Sequence, residues 1–498
     1  MISGSDAFPL SSDSVVRMVP PWPAKDTSGA RKRHERRPPF ATLPPGRSRG
    51  HGVRRLIRYT LLAVAVLLAV VLALWTWSRL QPLSAAQREA VALLQPLPEP
   101  TGRNAFDALW LLGRDVPVAR LRAVADADMA RIRAELADSP AAMPSVPGDA
   151  VAGERDLRPS DADRGMFCRL REDCLQRVQA DAGGYARLVG RNRALLDRVA
   201  ALSGYDFYRG RQPPDIRAPM PDFTLVQFGL TDAAQAYASG DIDGGLSRAC
   251  AGLDTWRRLG ARSDSLVVRM FGAGLSTDGY GALLARMLVQ LPDDHPLPPA
   301  CNAALAPVAG DELSICDAMR GEYALVAATS DTVSDPEVVG TARAMLARLV
   351  YDPERSRALM AENMAPACTD DARASLVADR PLRWPQRVQS RWRLECAANL
   401  AGCILADIAS PAYVDYVSRV QDAGARLELL RGVVSVRGTG DLQAREAALR
   451  RFWTTTGNRG RELRFVDEGR AVEVREFYTA RGEWWQLPLP RPQPAPAD

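Results

Sequence analysis

Three histidines occur in the 498 residues, His34, His51 and His295, together with only two lysines, Lys25 and Lys32. This scarcity limits the chemistry open to the chain. A zinc helix of the HExxH type needs two histidines on one face, and a Ser-His-Asp relay in the larger part of the chain would have to pass through His295 alone. His295 stands in Asp293-Asp-His-Pro-Leu-Pro-Pro, a proline-bound connection with no evident partner near it in sequence, and so reads as a solvated turn residue. A Walker loop, a Schiff-base lysine and a Ser-x-x-Lys pair all require lysine, which is missing after Lys32, and neither GxSxG nor GxGxxG occurs.

Carboxylates are the remaining catalytic material, since acid–base hydrolysis of glycans needs only one or two Asp or Glu. Asp317 and Glu322, flanking Met319-Arg-Gly, and the adjacent Asp370-Asp371 are the nearest candidates. With 59 acidic residues such pairs also arise by chance, so no catalytic residue is assigned. Asp241-Ile-Asp243-Gly-Gly has the beginning of a calcium loop but places Gly252 where the bidentate Glu is required, and helix capping explains it better. Trp384, Trp392, Trp484 and Trp485 could stack on a sugar or anchor a partner, with core packing the default for the first two. Trp484 and Trp485, adjacent on a strand, must face opposite sides of it. No metal, cofactor or small-molecule ligand is expected.

The eight cysteines, Cys168, Cys174, Cys250, Cys301, Cys316, Cys368, Cys396 and Cys403, have neither CxxC spacing nor a neighbouring histidine, which argues against zinc. An even number suits disulfides in an oxidising compartment. The local pairs Cys168/Cys174 and Cys396/Cys403 are the expected bridges, because six or seven residues can loop back to meet disulfide geometry. The other pairings stay open.

What must position these residues begins with an apolar run. Tyr59 to Trp77 is 19 residues without a charge, mostly Leu, Val and Ala, and the segment Leu56–Trp77 is expected to be a helix crossing a hydrocarbon layer of roughly 30 Å. Arg58 and Tyr59 fit one interface and Trp75 and Trp77 the other. A buried core helix seldom sustains this length without a polar face, and a signal peptide has a shorter apolar region and a shorter leader.

The charge distribution gives this helix a direction. Residues 1–55 carry 11 basic groups against four acidic ones, a net +7, so the remaining residues sum to 5 − 7 = −2. The basic excess belongs to the N-terminal tail, and positive-inside bias places that tail in the cytoplasm and the rest of the chain in the periplasm. The tail is rich in Pro, Ser, Gly and Arg and is expected to be disordered, its Arg31–Arg37 run serving as a topology determinant. Basic and acidic residues alternate beyond the helix without forming a stripe, so nucleic acid is not an expected partner.

Beyond residue 78 the pattern is helical. Ser84-Ala-Ala-Gln87 is a capping box, Asn104–Leu112 and Pro117–Leu136 form juxtamembrane helices across 79–137, and the Pro/Gly/Asp-rich stretch 138–166 reads as a loop. The main helical domain, 167–460, has its strongest segments at Phe223–Ala238, Ile242–Leu259, Ser263–Leu291, Asp311–Ala327, Pro336–Met364 and Pro411–Val434. A short Gly/Asp connection joins the first two into a hairpin. Residues 461–488 change to a strand pattern, Glu462–Val466, Val472–Tyr478 and Glu483–Leu487, around turns at Glu468-Gly469 and Arg481-Gly482, and 489–498 is a Pro/Ala tail. The expected fold is therefore mainly α: an irregular helical-hairpin array after one transmembrane helix, ending in a small antiparallel β meander.

The segments Asn104-Ala-Phe-Asp-Ala-Leu-Trp-Leu-Leu-Gly-Arg-Asp-Val-Pro117 and Ser263-Asp-Ser-Leu-Val-Val-Arg-Met270 resemble those of single-pass, membrane-anchored proteins of GC-rich Gram-negative bacteria to which no activity is attached. The likeness covers the span 84–440 loosely and implies an inner-membrane anchor with a periplasmic domain. Together with the missing catalytic residue types, it points to a scaffold or interaction module of the cell envelope, whose partners would be the lipid bilayer and envelope proteins. A carboxylate-dependent envelope hydrolase acting on glycan is the alternative.

Overall fold

The computed structural model describes residues 50–139, 143–144, 151, 153–333, 340–384, 393–456, 460–480 and 482–490. The chain divides into two units, Met1–Leu67 and Leu68–Asp498. Of the first, residues 50–67 are described, all within helix α1 (Gly50–Leu80), and the expectation of disorder for the tail falls almost wholly outside the described residues. From Val53 onward the large apolar side chains of this unit are exposed.

The second unit opens with the C-terminal part of α1 and then α2 (Ala85–Leu93), whose capping box is made as the sequence specifies: Ser84 Oγ accepts from Gln87 N, and the Gln87 side chain accepts from Ser84 N. The short helix α3 (Phe106–Trp110) and the longer α4 (Leu121–Asp138) follow. Trp110 stacks on Phe106 and donates its indole N–H to fully buried Asp128 at 2.8 Å, a polar bond that fixes the stacked pair inside the core. Helix α5 (Asp161–Met166), capped by Ser160, lies inside the stretch read from composition as a loop.

Helices α6 (Cys174–Ala180), α7 (Ala182–Arg191) and α8 (Arg193–Ala201) pack around a central pair, α9 (Phe228–Ala238) and α10 (Ile242–Ala261). Asp241 caps α10 by accepting from Gly244 N at 3.0 Å, so the calcium-like Asp-x-Asp-Gly sequence serves the helix terminus. Gly245 is required where α10 passes α9, since a Cβ there would lie 2.7 Å from the Tyr237 backbone nitrogen. The expected segment Ser263–Leu291 comprises α11 (Leu266–Gly274), a π-helical stretch (Leu275–Gly281) and α12 (Ala282–Val289). Ser276 and Thr277 turn their hydroxyls back to the Ala273 carbonyl, at 3.2 and 2.8 Å.

After α13 (Ala300–Ala304) come α14 (Cys316–Thr332), α15 (Thr341–Val350), α16 (Pro353–Met364) and α17 (Asp370–Val377). The segment expected as one helix, Pro336–Met364, breaks in its described part at Tyr351 and Asp352, both extended; Pro353 disfavours the helical region for Asp352, which caps α16 instead. Helix α18 (Leu400–Ser435) starts eleven residues before the expected Pro411, and α19 (Leu442–Thr455) leads into the sheet.

The sheet is a three-stranded antiparallel meander, β1 (Leu463–Val466), β2 (Ala471–Arg475) and β3 (Trp484–Pro488), in order 1-2-3. Its first turn uses left-handed backbone at Asp467, Glu468 and Gly469. Val472, Val474 and Leu487 are buried in the main core, which runs from Ala105 to Leu489. Trp485 joins that core and Trp484 stacks under Arg464 on the other face, so the two tryptophans do point apart, although neither is fully exposed.

The eight cysteines stand as four pairs at disulfide distance, with Cα separations of 5.5 Å for Cys168–Cys174, 4.9 Å for Cys250–Cys301, 4.8 Å for Cys316–Cys368 and 6.0 Å for Cys396–Cys403. The two long-range pairs could not be read from spacing, because residues 51 and 52 positions apart are brought together only by helix packing.

Candidate functional site

Three places collect polar side chains: a charged cleft on the body, a buried ionic network around the π-helical stretch, and the end of α1.

The cleft encloses about 620 Å³ between the C-terminal half of α10, the start of α14 and the Cys316–Cys368 bridge. Its walls carry Arg257, Arg258, Arg320 and, at the rim, Arg373, facing Asp254, Glu312 and Asp317. Each of these three acids is already engaged. Arg257 holds Glu312 through two bonds of 2.8 and 2.9 Å and also donates to the Ala304 and Ala306 carbonyls at 2.6 and 3.0 Å. Asp317 is clamped between Arg209 at 2.9 Å and Arg320 at 3.0 Å, and Arg258 pairs with Asp254 while donating to Ser203 and Tyr205 carbonyls. Three of the cleft's acids are thus held by arginine, while a fourth, Asp311, accepts from Glu312 N at 3.1 Å.

The sequence candidates separate accordingly. Asp317 lines the cleft, but Glu322 points toward α18, where burial raises its carboxyl above the usual range and its charge in turn helps raise the Tyr413 hydroxyl. Five positions along a helix turn the two side chains roughly 140° apart, which is why the pair does not converge. Asp370 and Asp371 occupy the exposed first turn of α17, with Asp370 within 3.4 Å of Arg373. Trp384 packs at the edge of the second core cluster, and Trp392 lies outside the described residues. His295 Nε2 lies 3.2 Å from Asp243 Oδ1, an exposed contact across 52 residues of sequence.

A buried ionic network surrounds the π-helical stretch and was invisible in sequence. Asp278 accepts from Arg426 at 2.6 Å, Arg171 at 3.1 Å and the Trp485 indole at 3.0 Å. Arg426 also holds Glu476, whose carboxyl burial raises. Beside it, Arg461, fully buried and 3.7 Å above the Phe477 ring, bridges Asp379 and Asp422, and Asp422 additionally accepts from Phe477 N and Tyr478 N. Four acids and two buried arginines thus lock β2 and the following turn to α18 and the π stretch. Satisfied so completely, the network specifies packing.

The end of α1 is the third locus. Trp75 Nε1 donates to the Leu349 carbonyl at 2.7 Å. Ser78, fully buried, donates to the Glu395 carbonyl at 2.8 Å and accepts from Ala398 N at 3.1 Å. Arg79 pairs with Asp352 at 2.9 Å, and Arg355 donates to the Gln81 carbonyl. Of the expected anchor residues, Trp75 is therefore tied to the body and Trp77 is exposed, while Arg58 and Tyr59, in the other unit, are also exposed.

Two helices among the described residues are long and apolar enough to cross a membrane: Val53–Leu80, none of whose apolar window is buried, and Leu400–Ser435, a third of whose window is buried. Among those residues no group of three or more His, Cys, Asp and Glu is placed to hold a metal ion. Compared with family models, with curated proteins and with solved structures, the chain matches none.

Proposed function

We propose that this chain is a single-pass membrane protein whose helical body sits in the periplasm as an interaction module of the cell envelope. The observation that carries the reading is α1: an apolar helix with its large side chains exposed from Val53 to Leu74, which water would not tolerate and lipid would. The basic residues before it orient the tail to the cytoplasm, and eight cysteines, all paired, suit an oxidising compartment beyond it. Helix α18 belongs to the body in this reading, because much of its C-terminal half lies in the core.

An interaction role is favoured over glycan hydrolysis because three of the cleft acids, Asp254, Glu312 and Asp317, are each held by arginine. The decisive experiment is cross-linking in living cells from photoreactive residues placed at Arg373 and Arg262 on the cleft rim, followed by mass spectrometry. A reproducible envelope protein partner supports the module. Recovery of none, together with glycan cleavage abolished by Asp317→Asn, would transfer the assignment to the hydrolase.

A further inference from the structure

Helix α15 has a composition unlike its neighbours. Its sequence, Thr-Ala-Arg-Ala-Met-Leu-Ala-Arg-Leu-Val, contains no acidic residue, and Ala344 is its only fully buried side chain. At 3.6 residues per turn, Met345, Leu349, Leu346 and Val350 fall within an arc of about 140°. Their exposures run from 44% to 66%, so the arc faces away from the body. Arg348 borders it on one side and Arg343 on the other, while Ala344 and Ala347 turn to the protein. An apolar face edged by arginine is the pattern of a helix lying in a membrane interface.

A second apolar surface lies beside it. At the start of α18, which packs against α15, Leu400, Ile404, Leu405 and Ile408 are 43–71% exposed, and Leu394, just ahead of the Cys396–Cys403 bridge, is 62% exposed. Both surfaces are fixed to the end of α1, α15 through Trp75 and the Leu349 carbonyl and the α18 entry through Ser78 and the backbone of Glu395 and Ala398. Trp75 is the residue expected at headgroup depth. Its bond to Leu349 brings the apolar arc to that same depth.

We infer that α15 and the segment Leu400–Ile408 of α18 form a foot that inserts into the bilayer leaflet where α1 emerges. The inference rests on the reading of α1 as a membrane span. The foot lies in the leaflet without crossing it: α15 has ten residues, about 15 Å, and α18 carries Asp407 and Asp415 and buries a third of its apolar window in the body. Held at three points, the body would stand in a set orientation on the membrane, which a lone flexible tether would not give.

The test uses the full chain in vesicles of phosphatidylethanolamine and phosphatidylglycerol containing nitroxide-labelled acyl chains. Single cysteines are introduced by Leu61→Cys in the span, Leu346→Cys and Ile408→Cys in the foot, and Glu446→Cys on α19, and each is labelled with an environment-sensitive fluorophore without reduction. Glu446 serves as the control because α19 packs near Gly432, about 36 Å along α18 from Ile408. The expected result is loss of most of the fluorescence at positions 61, 346 and 408 and little at 446. Quenching at 61 but not at 346 and 408 overturns the foot and leaves the anchor standing. Absence of quenching at 61 overturns the anchor and the foot with it.

Discussion

The hydroxyl of Ser78, in the last turns of the apolar helix, donates to the carbonyl of Glu395 at 2.8 Å across 317 residues of sequence. It also accepts from Ala398 N, so one buried side chain satisfies two backbone groups at the entry to α18. Removing it leaves both groups without partners in a dry place. Ser78→Ala is expected to destabilise the body by about 1–3 kcal/mol, measured by denaturant unfolding in detergent micelles, and to loosen α1 on the body without unfolding either. An unchanged midpoint would mean that water replaces the hydroxyl.

Arg461 supports a larger prediction. Its guanidinium has no exposed surface and holds Asp379 at 2.7 Å and Asp422 at 2.6 Å. Arg461→Met roughly preserves the volume but takes the cation from two buried carboxylates, of which Asp422 keeps its two backbone N–H donors, a loss of about 3–5 kcal/mol. Denaturant unfolding measures the loss, and a deficit well below that range would mean that the two carboxylates find other partners.

The disulfides should differ in importance by loop length. Closing 51 residues restrains the unfolded chain more than closing seven. Replacing Cys250 and Cys301 together by alanine should cost about 4 kcal/mol, against about 2 for Cys396 and Cys403. Thermal unfolding of both double variants checks the order, and the reverse order would show that the short bridge acts through native packing at the end of α1.

Glu322 provides a pH test. Burial raises its carboxyl above the ordinary value of 4.5, so the folded chain binds that proton more tightly than the unfolded one. Ionised Glu322 therefore costs stability above the folded value, and the cost fades as pH falls through that value toward 4.5, below which both states are protonated. Glu322→Gln should accordingly raise the melting temperature at pH 7.5 and lose its advantage near pH 4. A variant less stable at pH 7.5 would show that the carboxylate has a compensating partner.

Much of the architecture was legible in the sequence because it depends on local chemistry. The capping box at Ser84, the α9–α10 connection at Asp241 and the three strands with their turn at Glu468-Gly469 follow from residues within a few positions of one another. The apolar run was legible for the same reason. Pro353 breaking one expected helix into two was also written there, since a proline restricts the residue before it.

What only the tertiary structure decided are the relationships between distant residues. Composition could supply arginines and acids, but not that Arg426 would meet Asp278 or that His295 would find Asp243. The same holds for Cys250–Cys301 and for the bond from Trp75 to Leu349, 274 residues away. Helical periodicity fixes which face of an element is apolar, but the partner of that face depends on how all the helices pack together. The apolar arc of α15 shows the difference: its residues are plain in sequence, yet only the packing of the chain sets that helix beside the end of α1.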